Sequence, residues 1–73
     1  MKNIEALIDD DGEITLGALP PHECAATAAD GSNALAMLVR RDGETLNDLL
    51  KRLDRAIAAY YNNGKTVDEV NGP

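Results

Sequence analysis

Leu46, Leu49, Leu50, Leu53, Ile57 and Tyr60 recur at the i, i+3, i+4, i+7 spacing of a single helix face. In a chain of 73 residues this is the feature that most constrains the fold. So long an apolar stripe must lie on a second apolar surface. Asn47, Asp48, Lys51, Arg52, Asp54 and Arg55 fall mostly on the other side. Thr45 is placed to cap the first turn, with Asp48 three residues later as a short-armed capping box. Glu44 and Asp48 sit near the positive helix start. Asp48 and Arg52 make an i, i+4 pair. Asn63-Gly64 supplies a left-handed stop. The pattern predicts a helix over 46–62.

The segment before that helix reads as the sheet it would lie on. Asp11-Gly12, Asp30-Gly31 and Asp42-Gly43 are turn dipeptides between apolar stretches. From Ala34 to Arg40 the side chains alternate. Leu35, Met37 and Val39 point one way, and Ala34, Ala36, Leu38 and Arg40 the other. With Cys24 to Ala28 this predicts a hairpin joined by a four-residue connection across Asp30-Gly31. Ile14 and Leu16 alternate with Glu13 and Thr15, which predicts a further short strand pairing with Ile4 to Ile8 across Asp9–Gly12. Pro20-Pro21 should interrupt the ladder and mark a crossing or an edge.

The expected class is therefore α+β: a small antiparallel sheet of hairpins with one C-terminal amphipathic helix packed on it. Residues 1–64 form the domain, and 65–73 a tail that is a loose turn or a packed extension. Leu35, Met37, Val39 and the 46–57 stripe are the expected core or dimer seam. The alternative is all-α, with three short helices. Ala25, Ala26, Ala28 and Ala29 favour helix, Pro21 suits a first helical turn, and Ser32 could cap a helix over 33–41.

Length and composition narrow the function classes. A core this small gains little stability alone, and with no Trp, no Phe and only Tyr60 and Tyr61 the aromatic contribution is thin. At 44% apolar the chain is nonetheless not compositionally disordered. One Cys excludes an internal disulfide framework and fits a reducing compartment. The first residues do not form a signal peptide, because Glu5 breaks a short apolar stretch. The longest unbroken apolar run, Ala34 to Val39, falls far short of the roughly 20 residues that span a bilayer. These features predict a cytoplasmic protein without membrane association.

Net charge is −6, and it is unevenly spread. Residues 1–33 hold seven acids and one base, whereas residues 34–64 hold five of the chain's seven bases.

Four groups of residues are candidate sites. His22 and Cys24 are the single His/Cys pair, two apart and so on one face of an extended chain. A nucleophile there would also need oxyanion donors and a pocket, and a structural zinc needs four ligands. A buried Cys beside a surface His is the simpler expectation. Asp9-Asp10-Asp11-Gly12-Glu13 is an acidic run whose spacing does not match an EF-hand loop, and a solvated hairpin turn is expected. No cofactor or metal is expected. Arg40, Arg41, Lys51, Arg52 and Arg55 form the basic group, with Lys51, Arg52 and Arg55 on one helical flank. Phosphate contact is one reading of them. The net charge opposes it, no aromatic residue interleaves, and a solvated face or contact with the acidic segment of a second copy fits better. Tyr61, about 100° round the helix from Tyr60, is a candidate interface anchor.

Asp42-Gly43-Glu44-Thr45-Leu46, leading into a helix with Leu49, Leu53, Ala56 and Ile57, resembles the strand-to-helix step of HicB-type antitoxins. Asp10-Asp11-Gly12 resembles the first hairpin of that family. Leu19-Pro20-Pro21-His22-Glu23-Cys24 stands where the family carries Pro-Asp-Leu-Pro-Gly-Cys, and is a distant variant of it. The likeness covers about half the chain and implies an α+β protein that binds a toxin partner.

Together these features predict a non-enzymatic protein-interaction module, working as a homodimer, with Arg40, Arg41, Lys51, Arg52, Arg55 and Tyr61 open to a partner. One alternative is an antitoxin-like or regulatory protein bound to another protein. The other is a small nucleic-acid-associated protein using the basic helix flank.

Overall fold

The computed structural model describes residues 1–71. Its elements are α1 (Lys2–Asp9), β1 (Glu13–Leu19), β2 (His22–Asp30), β3 (Asn33–Val39), α2 (Leu46–Asn63) and β4 (Val67–Asp68). The strands form one sheet in the order β1-β2-β3-β4, antiparallel except for a short parallel pairing of β3 with β4. Both helices pack on the same face. The class is α+β, with a C-terminal helix on a sheet; the sheet is mixed and there is a second helix.

Helix α2 follows its sequence signals. The Thr45 side chain accepts from the Asp48 amide at 3.0 Å, and Gly64 closes the helix at φ +70. Leu49, Leu53, Ala56 and Ile57 are buried on the stripe. Leu46 heads the stripe but stays 44% exposed.

The largest correction concerns residues 2–9. Ile4 to Ile8 do not form a strand beside β1; they form α1. Ile4, Leu7 and Ile8 fall at helical spacing, with Leu7 buried and Ile4 packed against the core. The cap of α1 comes from elsewhere in the chain. The Asp54 carboxylate on α2 accepts from the amides of Asn3 and Ile4, both at 2.9 Å, and from Asn3 Nδ2 at 3.0 Å. It thereby satisfies two of the helix's orphan donors. Partial burial tends to raise the Asp54 carboxyl, but these hydrogen bonds outweigh it and hold the group below its ordinary range.

Asp9 to Glu13 accordingly is no hairpin turn. Asp11 takes φ +64, its amide donates to the Ile8 carbonyl, and the Gly12 amide donates to the Leu7 carbonyl at 2.8 Å. This is a Schellman-type helix end. Gly12 is required there by closeness, since a Cβ would stand 2.5 Å from the Leu7 side chain.

Two further expectations change inside the sheet. The β2–β3 hairpin turns in two residues, Gly31 and Ser32, with Gly31 at φ +55. Pro20-Pro21, joined by a cis peptide bond, forms the β1–β2 turn instead of a crossing. Opposite Ala28 and Ala29, β3 carries a bulge at Leu35. The bulge puts Leu35 with Ala36 and Leu38 in the core and leaves Met37 and Val39 on the other face, so the three residues expected together are separated. The segment after α2 returns to pair Val67 and Asp68 with Ala36 and Met37, a packed extension; its last two residues lie outside those described.

Replacing Asp54 with Ala removes the cap of α1. We expect a loss of about 1–2 kcal/mol in urea unfolding, with faster amide exchange confined to Asn3 and Ile4. An unchanged midpoint would mean that Asp54 does not anchor α1.

Candidate functional site

The basic residues are not equivalent in the fold. The Arg52 side chain is turned inward and mostly buried. Its Nε donates to Glu44 Oε2 at 2.7 Å, and one terminal nitrogen donates both to Glu44 Oε1 at 3.0 Å and to the Val39 carbonyl at 2.9 Å. The other terminal nitrogen reaches Glu69 Oε2 at 3.1 Å. The expected pairing with Asp48 therefore gives way to Glu44 and Glu69. Glu44 also accepts from the Arg41 amide, and its carbonyl accepts from Arg40 Nε. Glu69 Oε1 accepts from the Val39 amide, and the Glu69 amide donates to the Met37 carbonyl. The Arg52 hydrogen bond holds the Glu44 carboxyl down to about 2, helped by the Arg41 amide. The Arg52 guanidinium is raised in turn, first by its hydrogen bond to Glu44.

Arg40 and Arg41 lie at the surface around this cluster, with Arg41 3.9 Å from Glu69. Lys51 and Arg55 are exposed on α2 and make no ion pair among the described residues. Tyr61 is 56% exposed and donates from its hydroxyl to Asp30 at 3.1 Å. Desolvation, with Asp30 alongside, pushes its phenol up. The expected partner residues thus do not form one patch: Arg40 and Arg41 ring the loop after β3, and Tyr61 stands at the far end of α2.

His22 and Cys24 are half-buried and line a polar groove of about 620 Å³ with Arg40, Arg41 and Asp42. Cys24 packs against the core. Among the described residues no three metal-ligating side chains converge, and no helix is long and apolar enough to cross a membrane.

The feature that sequence reasoning missed is the face of the sheet turned away from the helices. Ladder register sets its rows. Thr15, Thr27 and Met37 lie side by side, as do Gly17, Ala25 and Val39, and then Glu13, Ala29 and Ala34. Of these rows, Thr15, Gly17, Ala25, Thr27, Ala29, Ala34 and Met37 line a shallow apolar trough of about 570 Å³, with Ala18 and Leu19 at its side. Thr15 and Thr27 hydrogen-bond through their hydroxyls across the middle. The trough is shallow because the central strand contributes alanines and one threonine to it. The available signal was the alternation of Ala25, Thr27 and Ala29 against Cys24, Ala26 and Ala28. The bulge at Leu35, which separates Leu35 from Met37, carries no such sequence mark.

No protein-family model, no curated protein and no solved structure matches this chain.

The acid response of the Arg52 cluster follows from Glu44. An unfolded Glu titrates near 4.3, whereas in the fold Glu44 titrates at about 2. Its contribution to stability is therefore complete above about pH 5 and lost as pH falls toward 2. Glu44→Gln should flatten that part of the unfolding midpoint's pH dependence; an identical profile would refute the assignment. Arg52→Ala, which leaves Glu44 and Glu69 facing each other, should lower the urea unfolding midpoint and expose the Val39 amide to exchange.

Proposed function

We propose that this chain is a cytoplasmic, non-enzymatic protein-interaction module that works through the open face of its sheet. The observation that carries the reading is the one-sided layering. Both helices cover one face, and the other presents Thr15, Thr27, Ala29, Ala34 and Met37 around an apolar trough. A sheet face of this kind is ordinarily covered by another layer. A domain with so small a core gains most from such cover. The lone Cys24 fits the compartment.

A homodimer and an antitoxin-like complex would both use such a face. A nucleic-acid role is less well supported. Arg52 is engaged by two carboxylates, which leaves Lys51 and Arg55 as the free bases of the helix flank.

A photo-cross-linking amino acid placed at Thr15, on the open face, tests the reading against the same group at Lys51, on the outer side of α2. Irradiation in cells should give one discrete adduct from position 15 and none from position 51. An adduct of twice the chain's mass is the homodimer. No adduct from position 15, or the same adducts from both positions, overturns the open face as the working surface.

A further inference from the structure

The two edges of the sheet differ. At one, β4 is two residues long, and Glu69 after it folds back onto Met37 and Val39. At the other, β1 runs from Glu13 to Leu19 with no Pro, Lys or Arg in it. Short edge strands, prolines and lysines are the devices that ordinarily keep an edge from pairing. Thr15, Leu16, Gly17 and Ala18 are exposed along β1. Among the described residues β1 pairs with β2 alone, and no hydrogen bond reaches its outer edge.

The ladder fixes which groups are left over. The Met37 carbonyl accepts from the Glu69 amide on the β4 side. Backbone groups alternate in direction along a strand, and the register is regular from Ala25 to Ala28 against Ala36 to Val39. Ala36 and Leu38 therefore turn to β2, Ala26 and Ala28 turn to β3, and Thr27 turns to β1. Opposite Thr27, Thr15 spends its amide and carbonyl on β2. Ile14 and Leu16 are left with theirs directed out of the sheet.

Their side chains lie on the helix side, opposite Ala28 and Ala26 of the core. Ile14 packs against that core, whereas Leu16 stays 41% exposed. The edge thus offers unpaired donors and acceptors beside an uncovered leucine.

We infer that β1 pairs antiparallel with β1 of a second copy, about a two-fold axis at Thr15. Glu13 to Gly17 is the stretch of β1 in unbroken register with β2, and Thr15 is its midpoint. Centred there, Ile14 stands opposite Leu16 of the second copy. The outward groups of the two exchange both hydrogen bonds, once on each side of the axis. Each Leu16 covers the other copy's Ile14 and so joins the two cores. Glu13, the sole charge on β1, falls opposite Gly17, so no like charges meet across the seam.

A two-fold axis perpendicular to the sheet keeps the helices of both copies on one side. The two four-stranded sheets become one of eight, with their open troughs side by side on the other. The pairing goes beyond the open-face reading and leaves that face uncovered. Contact along one edge is small in area, which makes the pair concentration-dependent.

The test follows amide exchange of the isotope-labelled full chain as its concentration is raised at fixed salt. Ile14 and Leu16 should slow by ~10-fold or more, and Thr15 and Gly17, already bonded to β2, far less. Thr15→Cys should give a disulfide-linked dimer on mild oxidation, since side chains of a non-hydrogen-bonded pair lie close. Lys51→Cys, on the outer side of α2, and the unaltered chain with its Cys24 should not. Leu16→Lys should abolish the dimer in sedimentation. It lowers the net negative charge, so general repulsion cannot account for the loss. Leu46→Lys, at a site 44% exposed, should leave the dimer intact. Circular dichroism verifies that each variant folds.

Ile14 and Leu16 exchanging at one rate at every concentration would overturn the pairing. So would a dimer that survives Leu16→Lys, or one that leaves those two amides fast. Because Thr15 lies at the axis, a photo-adduct of twice the chain's mass belongs to the edge when Leu16→Lys removes it, and to the open face when it persists. A chain that stays monomeric yet gives an adduct with another protein from position 15 sinks the pairing and keeps the open face.

Discussion

The Arg52 guanidinium donates to Glu44 before α2, to the Val39 carbonyl at the end of β3, and to Glu69 after β4. The end of β3, the start of α2 and the remote segment after β4 therefore meet on one side chain. The rest of the architecture follows from that meeting. Fixing Val39 and Glu44 sets the direction in which the chain leaves the sheet, and so the side on which α2 lies. Fixing Glu69 brings the returning segment against β3, where its amide bonds Met37 and its carboxylate bonds the Val39 amide. The planar fork of arginine suits this task, since it meets two carboxylates and a carbonyl in one plane. A lysine in its place could not serve all three partners with comparable geometry.

Alanine is the second determinant. Ala26, Ala28 and Ala36 line the helix side of the sheet, and the leucines of α2 and β3 supply the bulk that fills the space above them. The arrangement lets a chain without Phe or Trp close a single core with small side chains on the central strand and large ones on β3 and α2. The same choice on the opposite side of β2 has the reverse consequence. With Ala25, Thr27 and Ala29 and no large cover, that side remains a shallow floor.

What the sequence reveals depends on how locally each element is specified. Helix α2 carries its stripe, its Thr45 cap and its Gly64 stop within its own residues, and all three are readable. Strands β1 to β3 are readable from alternation and from their turns, apart from their ends, whereas the two residues of β4 are too few to show a pattern. Helix α1 is not, because eight residues give too short a period and its cap, Asp54, lies fifty residues away. The acidic run after it looks like a hairpin turn, although Asp11 and Gly12 are closing a helix. The bulge at Leu35 is equally silent, and one inserted residue exchanges which side chains share a face. That is why Leu35, Met37 and Val39 read as one seam and the open floor went unseen. Of the expected partner residues, Arg52 is the instructive failure. Its spacing from Asp48 fits an ordinary helical pair, and only the tertiary placement of Glu44 and Glu69 turns it inward.

Charge is sorted by layer as well as by sequence. The described lysines and arginines stand on the helices, on the loop after β3 or in the segment following α2, and the strands carry four acids beside the single His22. Within the helix layer acids and bases neutralise each other, as Glu44 and Glu69 do around Arg52. Glu23 likewise shares its polar groove with Arg40 and Arg41 of the loop after β3. The apolar floor between the strand ends carries no charged side chain of its own, so what touches it meets only alanine, glycine, leucine, threonine and methionine.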